Sequence, residues 1–162
     1  MKMMEQLKAK KKDNKGFSLV ELIIVIAIMA ILVGIVGTQV VPYIEKSRKA
    51  KDIQQVSGFC TDAMTAYSSN AAKLDAAETY TITINASGVT AEDSTGTASA
   101  DLLNSFTELN SVTKIDDIKF ESSAAKDIKS ITITCENDKP MISLDANDAS
   151  GAAIADFHVE SN

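Results

Sequence analysis

Residues 22–33 are apolar without a break, and the wider stretch 17–41 is interrupted only by Ser18, Glu21, Gly34, Gly37, Thr38 and Gln39. That length satisfies the roughly 20 residues a membrane-spanning helix requires. Beyond Pro42 the pattern turns amphipathic, with Ile53, Val56, Cys60, Met64 and Tyr67 at helical intervals. A single helix over residues 18 to about 69 is therefore predicted, on the order of 75 to 80 Å long at 1.5 Å per residue. From Thr79 the period becomes two. Tyr80, Ile82 and Ile84 alternate with threonines, Ile131, Ile133 and Cys135 do the same, and Ala155, Phe157 and Val159 alternate with Asp156, His158 and Glu160. These read as half-buried strands, with further strands expected over 139–144 and 114–121, a short helix over 101–109, a loop over 91–100 and a turn over 145–151. The fold class is α+β: a long N-terminal helix whose outer half packs against a mainly antiparallel sheet.

Three residues interrupt the regularity of that helix. Gly34, Gly37 and Pro42 follow the apolar run closely, and proline removes a helical hydrogen bond while glycine weakens helix propensity. A kink or local softening is expected within 34–42. Gly58 is a further weak point.

Glu21 is the anomalous residue, a carboxylate inside the apolar run. An ionised group near the middle of a membrane helix costs about 2.5 to 3.5 kcal/mol on insertion scales, so it requires a partner that neutralises it. Charge also divides the chain. Residues 1–16 hold six lysines against Glu5 and Asp13, a net +4, and the whole-chain charge of −6 leaves −10 for residues 17–162. Lysines ahead of an apolar stretch stay cytoplasmic, which sends the acidic part across the membrane. That acidic surface argues against direct nucleic-acid binding. An ordinary secretory signal would place a small-residue cleavage site after the apolar run, where only weak candidates such as Gly37 occur. The better-placed small residue is Gly16, ahead of the run.

The segment 11–28, reading Lys11-Lys12-Asp13-Asn14-Lys15-Gly16-Phe17-Ser18-Leu19-Val20-Glu21 and then seven apolar residues, resembles the class III signal of type IV pilins and pseudopilins. The likeness covers about the first quarter of the chain, through Pro42-Tyr43-Ile44 and the basic run 46–51. The resemblance implies cleavage after Gly16 by a prepilin peptidase, N-methylation of the new terminal Phe17, and pairing of Glu21 with the terminal amine of a neighbouring subunit during assembly. Physically, an amine at Phe17 and a carboxylate at Glu21 favour each other's ionised forms in apolar surroundings. They lie one helical turn apart, so pairing within one chain is the competing arrangement. One departure is that many pilins carry proline about four residues earlier, where this chain has Thr38. Four residues is about one turn, so the helix face is kept while the bend moves.

This reading divides the chain into a cleaved cytoplasmic leader, 1–16, a transmembrane and filament-core helix, 17–42, its amphipathic continuation, 43–69, and a β-rich head, 70–162. It implies a pilus subunit that is single-pass in the cytoplasmic membrane, N-terminus inside, before assembly, and extracellular afterwards. Implied partners are other copies of the chain, the prepilin peptidase, an assembly platform and a separate ATPase motor. A pseudopilin of a secretion or competence system and a single-span anchored adhesion protein are the alternatives. The basic run at 46–51 suits lipid headgroups, acidic neighbours or simply solvent.

Other chemistry is sparse, and neither an enzymatic activity nor a cofactor is expected. Cys60 and Cys135 fall on predicted inner faces and either bond across the helix–sheet interface, in a compartment that permits it, or stay as small core thiols. His158, the single histidine, falls on the solvent face of the last strand. Asp145, Asn147 and Asp148 lack the glycine and distal glutamate of a calcium loop and read as an Asx-rich turn. No phosphate-binding glycine loop is present, so energy from nucleotide hydrolysis would come from another protein.

Overall fold

The apolar and amphipathic patterns form one α-helix, α1, over Leu19–Ser69, with Pro42 inside it. The structure, a computed structural model, describes residues 16–137 and 141–161. By its contacts the chain falls into two units, Met1–Pro42 and Tyr43–Asn162.

The first unit contributes an apolar stem. Its large side chains, among them Leu22, Ile26, Met29 and Leu32, are all exposed, and α1 is long and apolar enough to cross a membrane. Many are β-branched and only moderate helix formers in water. In hydrocarbon the helix is nonetheless favoured, because it satisfies every backbone donor and acceptor within the segment.

The second unit is the head. Five antiparallel strands, β1 (Tyr80–Asn85), β2 (Gly88–Asp93), β3 (Ser130–Cys135), β4 (Ile142–Asn147) and β5 (Ala153–Glu160), form one sheet in the order β2-β1-β3-β4-β5. Alternation sorts each central strand. Ile82, Ile84, Ile131, Ile133, Ile142 and Leu144 point inward and are fully buried, while Thr81, Thr83, Thr132 and Thr134 take the other face. The second half of α1 meets that inner face with Val56, Phe59, Cys60, Ala63, Ala66 and Tyr67. Ala63 and Ala66 have no exposed surface, and side chains this small let helix and sheet approach closely. Helix α2 (Ala100–Leu109) closes the core with Leu102 and Phe106. At the end of α1, Asn70 Nδ2 donates to the Ala66 carbonyl at 2.9 Å and to Ser105 Oγ at 2.8 Å, so the terminus is tied to α2.

Three expectations are corrected. Residues 114–121 are not a strand but a 3-10 turn, Ile115–Asp117, followed by irregular chain. The Asp117 carboxylate accepts the backbone N–H groups of Thr113 (3.0 Å) and Lys114 (3.1 Å), a local alternative to ladder pairing, and buried Ile115 and Ile118 are spaced by three rather than two. The loop expected over 91–100 starts later, because residues 91–93 belong to β2, and Asp93 then accepts the N–H groups of Thr95 (2.9 Å) and Thr97 (2.8 Å) to turn the chain. The strand expected over 139–144 is β4, at Ile142–Asn147, while positions 139 and 140 lie outside the described residues. The turn after it is correspondingly shorter. Asp148 closes it by accepting the N–H groups of Ser150 (2.8 Å) and Ala152 (3.0 Å), and Gly151 supplies the left-handed φ of 83°.

Candidate assembly site

At the start of α1 the sequence Ser18-Leu19-Val20-Glu21 is a Ser-x-x-Glu capping signal immediately before an apolar run. The Glu21 carboxylate accepts the Ser18 N–H at 2.9 Å, and Ser18 Oγ accepts the Val20 N–H at 3.3 Å. Two N–H groups that the helix cannot satisfy itself are thereby paired, and the anion sits at the positive end of the helix dipole. The Ser-x-x-Glu spacing ahead of the apolar run is the sequence signal for this capping role. The Ser18 N–H is a partner Glu21 has within its own chain.

The other signal residues sit just ahead. Gly16 and Phe17 are exposed, Phe17 by 88%, and neither is in the helix. The lysines of residues 1–15 lie outside the described residues. Further along the stem, a Cβ added at Gly34 or Gly37 would meet no atom within 4 Å. Pro42 offers no N–H to the Thr38 carbonyl one turn back, and Thr38 Oγ1 donates to the carbonyls of Ile35 (3.1 Å) and Gly34 (3.3 Å). The helix runs unbroken through this stretch, where the proline lacks a donor, the threonine hydroxyl shares two carbonyls and the glycines lower helix propensity.

In the head, a carboxylate that periodicity did not reveal holds loop to helix. Asp52 is 1% exposed, and its carboxylate accepts the N–H of Glu121 (2.9 Å), the N–H of Ser122 (2.8 Å) and Ser122 Oγ (2.5 Å). Two turns earlier, Glu45 accepts the N–H and hydroxyl of Ser123, and Lys51, next to Asp52, pairs with Glu121. These Ser123 contacts hold the Glu45 carboxyl below the usual range. The signal that could have found the clasp is Asp52 itself, an acid on the helix face otherwise occupied by Val56, Phe59 and Ala63.

Both cysteines lie in the head core as buried free thiols. Burial raises the pKa of Cys60, and burial followed by the neighbouring Cys60 pushes Cys135 up to about 12. His158 is exposed on β5, its Nδ1 2.7 Å from Asp145 and its Nε2 3.0 Å from Glu160, and these contacts raise its pKa. Asp148 serves its turn and Asp145 serves His158. Among the described residues, no three His, Cys, Asp or Glu side chains are placed to hold a metal.

No curated protein and no solved structure matches the chain. The prokaryotic N-terminal methylation motif matches residues 11–37, covering the capped helix start, Gly16, Phe17, Glu21 and the apolar stem as far as Gly37. The chain therefore carries, at the start of a long apolar helix, the class III signal of a type IV pilin-like protein, prepilin or pseudopilin.

Proposed function

We propose that the chain is a structural subunit of a type IV pilus, stored in the cytoplasmic membrane and assembled into a surface filament after its leader is removed. The observation that supports this most directly is the junction of the methylation motif with a stem whose apolar side chains are all exposed. Such a stem needs lipid before assembly and other stems after it. Burial of apolar surface at about 25 cal/mol per Å² makes a bundle of stems cohesive against water, although exchange from lipid to protein supplies much less.

In this reading a prepilin peptidase cuts between Gly16 and Phe17, and Phe17 becomes the methylated terminus. Its cationic amine then competes with the Ser18 N–H for the Glu21 carboxylate. The Ser18 N–H is a neutral donor, whereas an ammonium brings a full opposite charge to the carboxylate in apolar surroundings, and an amine from an adjacent copy supplies it without straining the first turn. Glu21 thereby sets subunit register. The stretch containing Gly34, Gly37 and Pro42 lets the stem bend as it packs. Assembly is the activity, driven by a platform and a separate ATPase motor.

Mass spectrometry of the functional protein tests the processing step, and electron microscopy of sheared surface material tests the polymer. A methylated Phe17 terminus together with long fibres that vanish when the gene is deleted supports the proposal. A methylated terminus without surface fibres points to a pseudopilin of a secretion or competence system. An intact 1–16 segment on working protein overturns both and leaves an anchored adhesion protein.

A further inference from the structure

Between Phe17 and Phe59 the chain has a single aromatic residue, Tyr43, and between Lys15 and Lys46 it has no cation. Both stand where the apolar run gives out. Val41 ends that run, Pro42 follows, and Tyr43 projects from α1 with 72% of its surface exposed, taking no part in the head core. The Lys46 ammonium lies 5.9 Å from the centre of the Tyr43 ring and has no ion-pair partner among the described residues. Gln39 and Ser47, one turn to either side, continue the same polar face. Glu45 lies on the other side of the helix and is taken by Ser123, so no carboxylate shares that face with the ring.

A phenol has an apolar body and a polar tip, and such rings settle where hydrocarbon meets headgroups, with the hydroxyl toward water. A lysine beside it lays its methylene chain along apolar surface and carries its ammonium outward to phosphate. Distance along the helix then fixes the level of the other end. From Glu21 to Tyr43 α1 advances about 33 Å at 1.5 Å per residue, or about 31 Å along the membrane normal at an average tilt of about 20°. The hydrocarbon layer is about 30 Å thick.

We infer that Tyr43 and Lys46 seat in the outer headgroup layer of the membrane that stores the subunit, and that this holds the Glu21 carboxylate at the inner headgroup level instead of within hydrocarbon. The partner is the interfacial layer of a phospholipid bilayer, which offers phosphate to the ammonium and glycerol and carbonyl groups to the phenol. The inference rests on the membrane-stored subunit of the preceding section and fixes its depth. At that level water reaches the carboxylate, so the stem is stored without a charged partner for Glu21. The need for one arises when the stem is withdrawn into a water-excluding bundle, where an unpaired charge is costly. Storage and assembly thus make different demands on the same residue, and the aromatic position at the far end of the stem separates them.

The test uses the full chain reconstituted into phosphatidylcholine vesicles. The sequence has no tryptophan, so Tyr43→Trp, Leu32→Trp and Leu22→Trp each introduce a single fluorophore, at positions exposed on α1 and outside the head core. Lipids carrying a nitroxide at the headgroup or near the end of the acyl chain report shallow and deep positions. The headgroup label is expected to quench the Tyr43→Trp and Leu22→Trp probes about threefold more than the deep label does, and the order to reverse for Leu32→Trp, midway along the span. A Tyr43→Trp probe quenched by aqueous iodide and by neither lipid label, or quenched most by the deep label, overturns the outer seat. A Leu22→Trp probe quenched most by the deep label overturns the level assigned to Glu21. Either result, with Leu32→Trp still deep, leaves the membrane-stored subunit intact. A Leu32→Trp probe that is shallow, or that no lipid label reaches, shows that the stem does not span and overturns that reading and this one together.

Discussion

Asp52 is the residue on which the head's loop 118–128 depends most. Its carboxylate is buried and takes two backbone N–H groups and a hydroxyl, so truncation leaves several donors without partners in a site water does not reach. Hydrogen bonds to a charged group contribute about 1.5 to 3 kcal/mol each, and unpaired buried donors cost about 1 to 3 kcal/mol. Asp52→Ala is therefore expected to destabilise the head by about 3 kcal/mol or more, and Asp52→Asn by less, since the amide oxygen still accepts. Urea unfolding of the detergent-solubilised chain checks the order. An Ala variant as stable as the parent would refute the clasp.

Ionisation at the surface works in two directions. Glu45 titrates below the usual carboxylate range because it accepts from the Ser123 hydroxyl and N–H; its contribution is present above the unfolded value of about 4.3 and lost as pH falls through the folded one. His158 titrates above its usual value because of Asp145 first and Glu160 second; its contribution is complete below about 6.5 and lost as pH rises through the folded pKa. An NMR titration of the His158 ring should give a midpoint above 6.5. Asp145→Asn is expected to bring it down, by more than Glu160→Gln does. An unchanged midpoint in both variants would show that neither carboxylate holds the ring.

At the scale of elements, legibility followed the strength of each periodic signal. The 25 residues from 17 to 41 and the alternating Ile–Thr runs announce themselves, and α1, β1, β3 and α2 lie close to where the pattern puts them. β2 was missed because Gly88-Val-Thr-Ala-Glu-Asp offers only Val89 and Ala91 as an apolar pair, and it forms as the return strand of a hairpin whose turn Asn85 holds by accepting the Ser87 and Gly88 N–H groups. Register supplied by a neighbour is not visible in a strand's own pattern. The converse error came at 114–121, where apolar residues suggested a ladder but Asp117 captures the backbone donors. At the candidate site, Glu21 was conspicuous as a misplaced charge, whereas Asp52 was not, because its partners come from about 70 residues away.

The same scale carries the prediction about the stem. If Gly34, Gly37 and Pro42 soften the helix, backbone amides near residues 38–42 in assembled fibres should exchange with deuterium faster than those at 22–33. Replacing all three by alanine restores the missing N–H and removes the glycine entropy, each glycine accounting for about 1 kcal/mol. Exchange in 38–42 is then expected to slow by tenfold or more, from about 1.4 kcal/mol per factor of ten. Equal exchange before and after the triple substitution would place the bend elsewhere.

For the whole molecule, the question is whether Glu21 serves the single chain or the polymer, since it caps its own helix and is also the acid expected to meet a neighbour's amine. The two roles separate by chemistry. Glu21→Gln keeps an acceptor for the Ser18 N–H but carries no charge; Glu21→Val loses both. If capping were the whole role, Gln would behave nearly as the parent, and Val would lose about 1 kcal/mol of helix stability, little in a stem held by lipid. If the carboxylate neutralises a neighbouring terminus, both variants leave an ammonium unpaired in apolar surroundings, where truncating one partner of a buried ion pair costs about 3 to 5 kcal/mol. Both are then expected to insert, be cleaved after Gly16 and accumulate in the membrane while fibre yield falls by at least a hundredfold. Immunoblotting of sheared and membrane fractions reads the two outcomes apart: a Gln variant with parental fibre yield would reduce Glu21 to a helix cap and remove the proposed basis of subunit register.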